Sequence, residues 1–161
     1  MRRGAVAVVI VAIAVIVVWQ ARLQRGGRPS GAAQAIRALR AIASAQSEYA
    51  ASVGHAGYAP SLAALAAPCA QSGRTYLSPD FASDPTLKAG YEVSLQPKPA
   101  ARRVSTDCNG LPTYSGFYAT AKPISMREEK QPAFAIDETG AVWIGPNGTP
   151  PTPPFRGPVV R

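Results

Sequence analysis

Residues 4–19 carry no polar side chain; the run reads GAVAVVIVAIAVIVVW. Extended to Ala21 it reaches about eighteen residues, the shortest helix that crosses a hydrocarbon core of roughly 30 Å. Arg2 and Arg3 precede the run, and Trp19 and Arg22 close it, where headgroup-binding cations and an interfacial aromatic belong. The sequence therefore predicts a membrane anchor over residues 1–25, with membrane lipid as its partner. A helix buried in a protein core has no use for such flanks. A cleaved signal peptide competes with this reading, but it requires small residues at the cut. Here the chain has Trp19-Gln20-Ala21-Arg22, whose bulk and charge favour an uncleaved signal anchor.

Cations on both sides of the run leave its orientation open, and the cysteines decide it. Cys69 and Cys108 are the only two, too far apart for a CxxC redox motif and, with the single His55, too few for a zinc set. The apolar fraction of 47% is inflated by alanine, and aromatics make up only 7%, so the core is thin. A thin core behind an export-type N-terminus calls for a covalent staple, and a disulfide between Cys69 and Cys108 is expected. That pairing places the body outside the cytoplasm: a single-pass protein of the cell inner membrane with a periplasmic domain.

A net charge of +8 raises nucleic acid as a partner. The distribution argues against it. Arg2, Arg3, Arg22, Arg25 and Arg28 flank the apolar run, the others are scattered apart from Arg102-Arg103, and no basic strip is interleaved with aromatics.

A joint rich in glycine and proline at residues 26–31 separates the anchor from the body, and Ser30 stands where a helix N-cap would. Ile36, Leu39, Ile42, Ala43, Tyr49, Ala50 and Val53 recur at helical spacing, predicting an amphipathic helix over 32–53 ended by a left-handed Gly54. A short helix comes next, with Ser61 capping residues 62–66. Residues 70–90 read as irregular. Tyr91, Val93 and Leu95 alternate, and residues 116–122, 133–137 and 141–144 read as further strands, the last two joined by Glu138-Thr139-Gly140. The stretch 96–115 reads as loop. Residues 32–145 thus form one α+β domain, an amphipathic helix packed on a small antiparallel sheet. The proline-rich tail, residues 146–161, is expected to be extended and mobile.

The run from Ala35 to Tyr49, with Ile36-Arg37, Ile42 and Ala45-Gln46, resembles the helix of type IV pilins and type II secretion pseudopilins. Gly57-Tyr58-Ala59-Pro60-Ser61-Leu62, Gly90-Tyr91, Tyr118 to Pro123 and Phe134 to Val142 resemble that family's later segments, in the same order. The resemblance covers about residues 35–145. The family's cleavage junction is absent: Gly4 is followed by Ala5-Val6-Ala7-Val8-Val9, without aromatic residue or glutamate. What the resemblance implies is a pilin-like fold and a structural role in a pilus- or secretion-type envelope assembly, with other pilin-like or secretion-system subunits as partners. A stand-alone anchored binding domain, working through loops around Cys108, is the alternative.

Catalysis needs convergent polar groups, and few candidates exist. His55 sits between glycines with no acid or nucleophile beside it in sequence. Asp137-Glu138 and Glu128-Glu129 read as solvated turn acids. Asp80, Asp84, Asp107 and Asn109 are oxygen donors of the kind calcium takes, but without EF-hand spacing. No nucleophile elbow, phosphate loop, zinc-protease or dinucleotide motif is present. The chain is read as a non-enzyme without cofactor or metal.

Overall fold

The computed structural model describes residues 30–124 and 131–160. A long helix, α1 (Gly31–Ala51), is followed by a one-turn helix, α2 (Leu62–Ala66), and a 3-10 turn at Pro79–Phe81. Seven strands complete the order: β1 (Thr86–Lys88), β2 (Tyr91–Pro97), β3 (Arg103–Thr106), β4 (Pro112–Tyr114), β5 (Phe117–Pro123), β6 (Ala133–Asp137) and β7 (Val142–Gly145). They make two antiparallel sheets. One has five strands in the order β1-β2-β5-β6-β7, and the other is the β3–β4 hairpin, inserted between β2 and β5.

Short connections make β1–β2 and β6–β7 antiparallel, β2 and β5 meet antiparallel across the inserted hairpin, and the register follows from alternation. Val93 lies opposite Ala121, Leu95 opposite Ala119, Ala119 opposite Ile136 and Ile136 opposite Val142. One face of β2, β5, β6 and β7 is therefore continuously apolar. Against it α1 lays Ala35, Ala38, Leu39, Ile42, Ala45 and Tyr49, all buried. Ala119 and Ala121 keep the centre of that face low, so the helix can approach closely.

Two expectations about the architecture are corrected. The first is its class. The sequence predicts a transmembrane helix followed by one amphipathic helix on one small sheet, whereas most of the ordered elements are strands, in two sheets. The strands that the sequence conceals are β1, β3 and β4, each of three or four residues and too short for an alternation to register. The second is the membrane. Among the described residues no helix is long and apolar enough to cross one. The longest, α1, has Arg37 and Arg40 opposite its buried stripe, a pattern that suits one protein face and not surrounding lipid. The apolar run 4–19 and its flanks Arg2, Arg3, Trp19 and Arg22 lie outside the described residues. The single-pass inner-membrane and periplasmic placement is withdrawn accordingly.

Gly54 differs in a more local way. Left-handed backbone falls on the next two residues, His55 (φ 51°) and Ala56 (φ 67°). What Gly54 supplies is room, since a Cβ there would sit 2.1 Å from the carbonyl oxygen of Gly57 and 2.9 Å from the Tyr49 ring. Ser61 caps α2 as its sequence suggests, accepting the Ala64 N–H at 3.2 Å.

The tail returns to the body. Its turn is closed by Thr149 N–H to Pro146 O at 3.1 Å and Gly148 N–H to Gln131 O at 3.0 Å. Its end then runs along β7: Ile144 N–H donates to Pro158 O at 3.0 Å and Val160 N–H to Val142 O at 2.8 Å. A proline cannot donate within a sheet, but its carbonyl can accept at an edge, and the tail uses that arrangement.

Candidate functional site

Three places gather polar or aromatic side chains, two of them beside α1 and the third on the opposite face of the sheet. The first is the disulfide corner. Cys69 and Cys108 are bonded, their Cα atoms 5.7 Å apart, as the sequence predicts. Residues beside the bond repeat its tie with hydrogen bonds. Asn109 accepts the Ala70 N–H through Oδ1 at 2.9 Å and donates to Pro68 O through Nδ2 at 3.2 Å. Asp107 accepts from the Asn109 and Leu111 backbones through Oδ1, at 2.9 and 2.8 Å, and from the Tyr49 hydroxyl through Oδ2 at 2.8 Å. Burial first, and then the acceptor Asp107, raises the Tyr49 phenol well above its ordinary range.

The second lies at the β6–β7 turn. Ala43, Ser47, Tyr58, Phe117 and residues 137–140 line a polar recess of about 120 Å³. Asp137 is buried, not solvated as turn acids usually are. Its Oδ1 accepts from Thr139 N–H at 3.0 Å and from Thr139 Oγ1 at 2.5 Å. Its Oδ2 pairs with Lys98 Nζ at 2.9 Å, and the same ammonium reaches Glu138 at 2.5 Å. Burial opposes ionisation of Asp137, but Thr139 and Lys98 outweigh it and hold the carboxyl below its usual range. For Lys98 burial is likewise outweighed, by Glu138 and Asp137, and its ammonium titrates above its ordinary range. Pockets for small-molecule ligands run to about 300–1,000 Å³, and this recess is well below that size.

The third is the aromatic patch beneath the tail. Phe155 stacks on Trp143 with centroids 5.7 Å apart and planes at 27°, and meets Tyr118 edge-on at 6.5 Å. Trp143 Nε1 is buried with no hydrogen-bond partner.

The remaining candidates are kept apart. Asp80 pairs with Lys88, and Asp84 accepts the Leu62 N–H at 2.8 Å and the Leu95 N–H at 3.3 Å. Asp107 and Asn109 are committed to the disulfide corner. The four oxygen donors are thus spent on separate protein partners, and among the described residues no group of three or more His, Cys, Asp or Glu is placed to hold a metal. His55 is exposed in its loop. Glu128 and Glu129 lie outside the described residues. Sequence reasoning gave no contact to Gln46, Lys98 or Thr139, although Gln46 lies in the helical run and Thr139 in the hairpin turn that it singled out. No family model, curated protein or solved structure matches the chain.

Proposed function

We propose that this chain is a non-catalytic, pilin-like structural component of a pilus- or secretion-type envelope assembly. One observation carries the reading: a long helix laid on one face of an antiparallel meander, whose β3–β4 excursion is fastened to the helix side by the Cys69–Cys108 bond. The ordered segments that resemble pilins, from Ala35-Ile36 to Phe134-Ala135-Ile136-Asp137, supply that helix and that meander. Two further features support it. The polar side chains that chemistry would need are consumed by internal bonds at Asp107, Asn109, Asp137 and Lys98. The solvent face of α1 carries Arg37, Arg40, Ser44 and Ser47. Partners would be other pilin-like or secretion-system subunits meeting that face. The alternative, a ligand-binding domain working through the loops around Cys108, is disfavoured because Asp107 and Asn109 are already engaged with the protein's own groups.

The test is replacement of the native gene by an Arg37→Glu/Arg40→Glu version. Piliation or secretion should fall while the protein remains folded and oxidised. Unchanged piliation and secretion in both this strain and a full deletion would overturn the proposal.

A further inference from the structure

The tail's hold on the body has the features of an exchangeable contact. Along β7 it makes two backbone hydrogen bonds, from Ile144 and to Val142, contributes one stacked ring, Phe155, and rests one side chain, Val160, against the edge of the core. Residues 156–159 remain exposed, with Val159 at 41%. Between β7 and the returning tail an open apolar groove of about 370 Å³ persists, lined by Pro132, Ile144, Gly145, Pro146, Asn147 and Pro158. Packing along that groove is incomplete, so the tail is held there by Phe155 and Val160 and little between them. The ring on which Phe155 stacks also carries an unmet bond, because Trp143 Nε1 is the one buried side-chain donor or acceptor among the described residues without a partner.

The hinge is identifiable. The tail reverses direction over residues 145–149, where Asn147 and Gly148 both have positive φ, 52° and 69°. Gly145 lies so close to the Thr149 carbonyl that a Cβ would sit 2.0 Å from its oxygen. Beyond the hinge, Pro150, Pro151, Pro153 and Pro154 each fix one backbone dihedral, so a released tail loses less entropy on docking again than a proline-free segment would. A released tail leaves the β7 edge and the Trp143 face vacant, and the segment whose fit to them is on display is the tail itself.

We infer that the β7 edge and Trp143 form a docking groove for the C-terminal segment of a second copy of this chain. In the exchanged form Phe155, Pro158 and Val160 of one copy make on the other the contacts they make at home, and only the turn at 145–149 straightens. This goes beyond the structural role proposed above and does not depend on it.

The experiment uses the full chain with a photoreactive phenylalanine analogue at position 155. Isotopically light and heavy preparations are mixed at several concentrations, irradiated, and the crosslinked peptides weighed. Mixed-label pairs joining position 155 to the peptide bearing Trp143 should appear, and their share should rise with concentration. Gly145→Ala, which crowds the closed hinge, should reach the same share at a concentration at least tenfold lower. If Gly145→Ala does not fold, as judged by circular dichroism, the unmodified hinge decides alone. Same-label pairs only, at every concentration, or mixed pairs that avoid the Trp143 peptide, would overturn the inference.

Discussion

The carboxamide of Gln46 bonds both backbone groups of Ala59: Nε2 donates to the Ala59 carbonyl at 2.9 Å, and Oε1 accepts the Ala59 N–H at 2.8 Å. Gln46 has no exposed surface, and Ala59 almost none. The side chain imitates a strand neighbour, fastening the loop that leaves α1 to the helix itself. Removing it strands one buried donor and one buried acceptor.

Gln46→Leu should therefore destabilise the fold by about 2–6 kcal/mol, since each of the two orphaned buried groups costs roughly 1–3 kcal/mol. Gln46→Glu makes the sharper test. As a carboxylate it cannot donate to the Ala59 carbonyl, but once protonated it can. The variant should gain stability relative to the parent as pH falls below the carboxyl range. Denaturant midpoints at pH 7 and pH 4 measure this, and an unchanged difference between the two would show that the amide is not the link.

Gln46 also marks the limit of what is legible in the sequence. The helical period places α1 correctly because Leu39, Ile42 and Tyr49 are large enough to define a stripe, and β6 has the bounds its sequence predicts. The partner of a glutamine on that stripe is not legible, because it is a backbone thirteen residues away that no local pattern announces. The β3–β4 hairpin is hidden for a similar reason. Its Thr113 is buried against Gly57 and bonds Ser105, while Val104 and Leu111 are exposed, the reverse of a core pattern. Cys69 and Cys108 are legible as a pair because composition and spacing leave few other uses. The Asp137–Lys98 contact is not, since its members lie on different strands or beyond their ends.

That contact sets a pH window. Asp137 titrates below its unfolded value, so its contribution is present above the ordinary carboxyl range and is lost as pH falls through it. Lys98 titrates above its unfolded value, so its contribution is present below the ordinary ammonium range and is lost as pH rises through it. Lys98→Met should lower stability between those limits by about 1–3 kcal/mol, by leaving the Asp137 carboxylate with Thr139 alone. The stability difference should shrink toward both acid and alkaline pH, as thermal melts across the range will report. A difference constant with pH would assign the loss to packing.

Tyr49 adds an alkaline limit of its own. Its phenol is raised above the unfolded value, so it contributes no pH dependence below about pH 10, where both states hold the proton. Above that value the unfolded chain ionises first and stability falls. Tyr49→Phe should flatten this alkaline arm, while costing about 1–3 kcal/mol at neutral pH because Asp107 loses its hydroxyl donor. Unfolding curves at pH 9 and pH 11 test the point, and an alkaline arm of equal slope in the variant would exclude Tyr49 as its source.

The disulfide closes a separation of 39 residues, for which chain entropy gives a stabilisation of about 4 kcal/mol. The flanking bonds of Asn109 should keep the reduced corner assembled. Cys69→Ser/Cys108→Ser should thus melt lower than the oxidised parent yet cooperatively. Adding Asn109→Ala to it should cost further stability, about 0.5–1.5 kcal/mol, because both bonds are exposed and the freed groups meet water. A double variant that is already unfolded would place the corner's integrity in the covalent bond alone.

The packing of α1 on the sheet gives the most direct contrast, between adjacent residues. Leu39 is wholly buried against the apolar face of β2, β5 and β6, and Arg40 is exposed on the opposite side of the helix, with no ion pair among the described residues. Leu39→Asp buries an unpaired carboxylate and forfeits a leucine whose burial is worth roughly 1.5–3 kcal/mol. Together these exceed the margin of a small domain with an alanine-rich core. Arg40→Asp changes only solvated charge, within about 0.5 kcal/mol. Circular dichroism melts of the oxidised variants should show no cooperative transition for the first and a parental one for the second. Equal melting of the two would mean that α1 is turned about its axis from the orientation described, and that Ile42 and Tyr49 do not face Val93, Phe117 and Ile136.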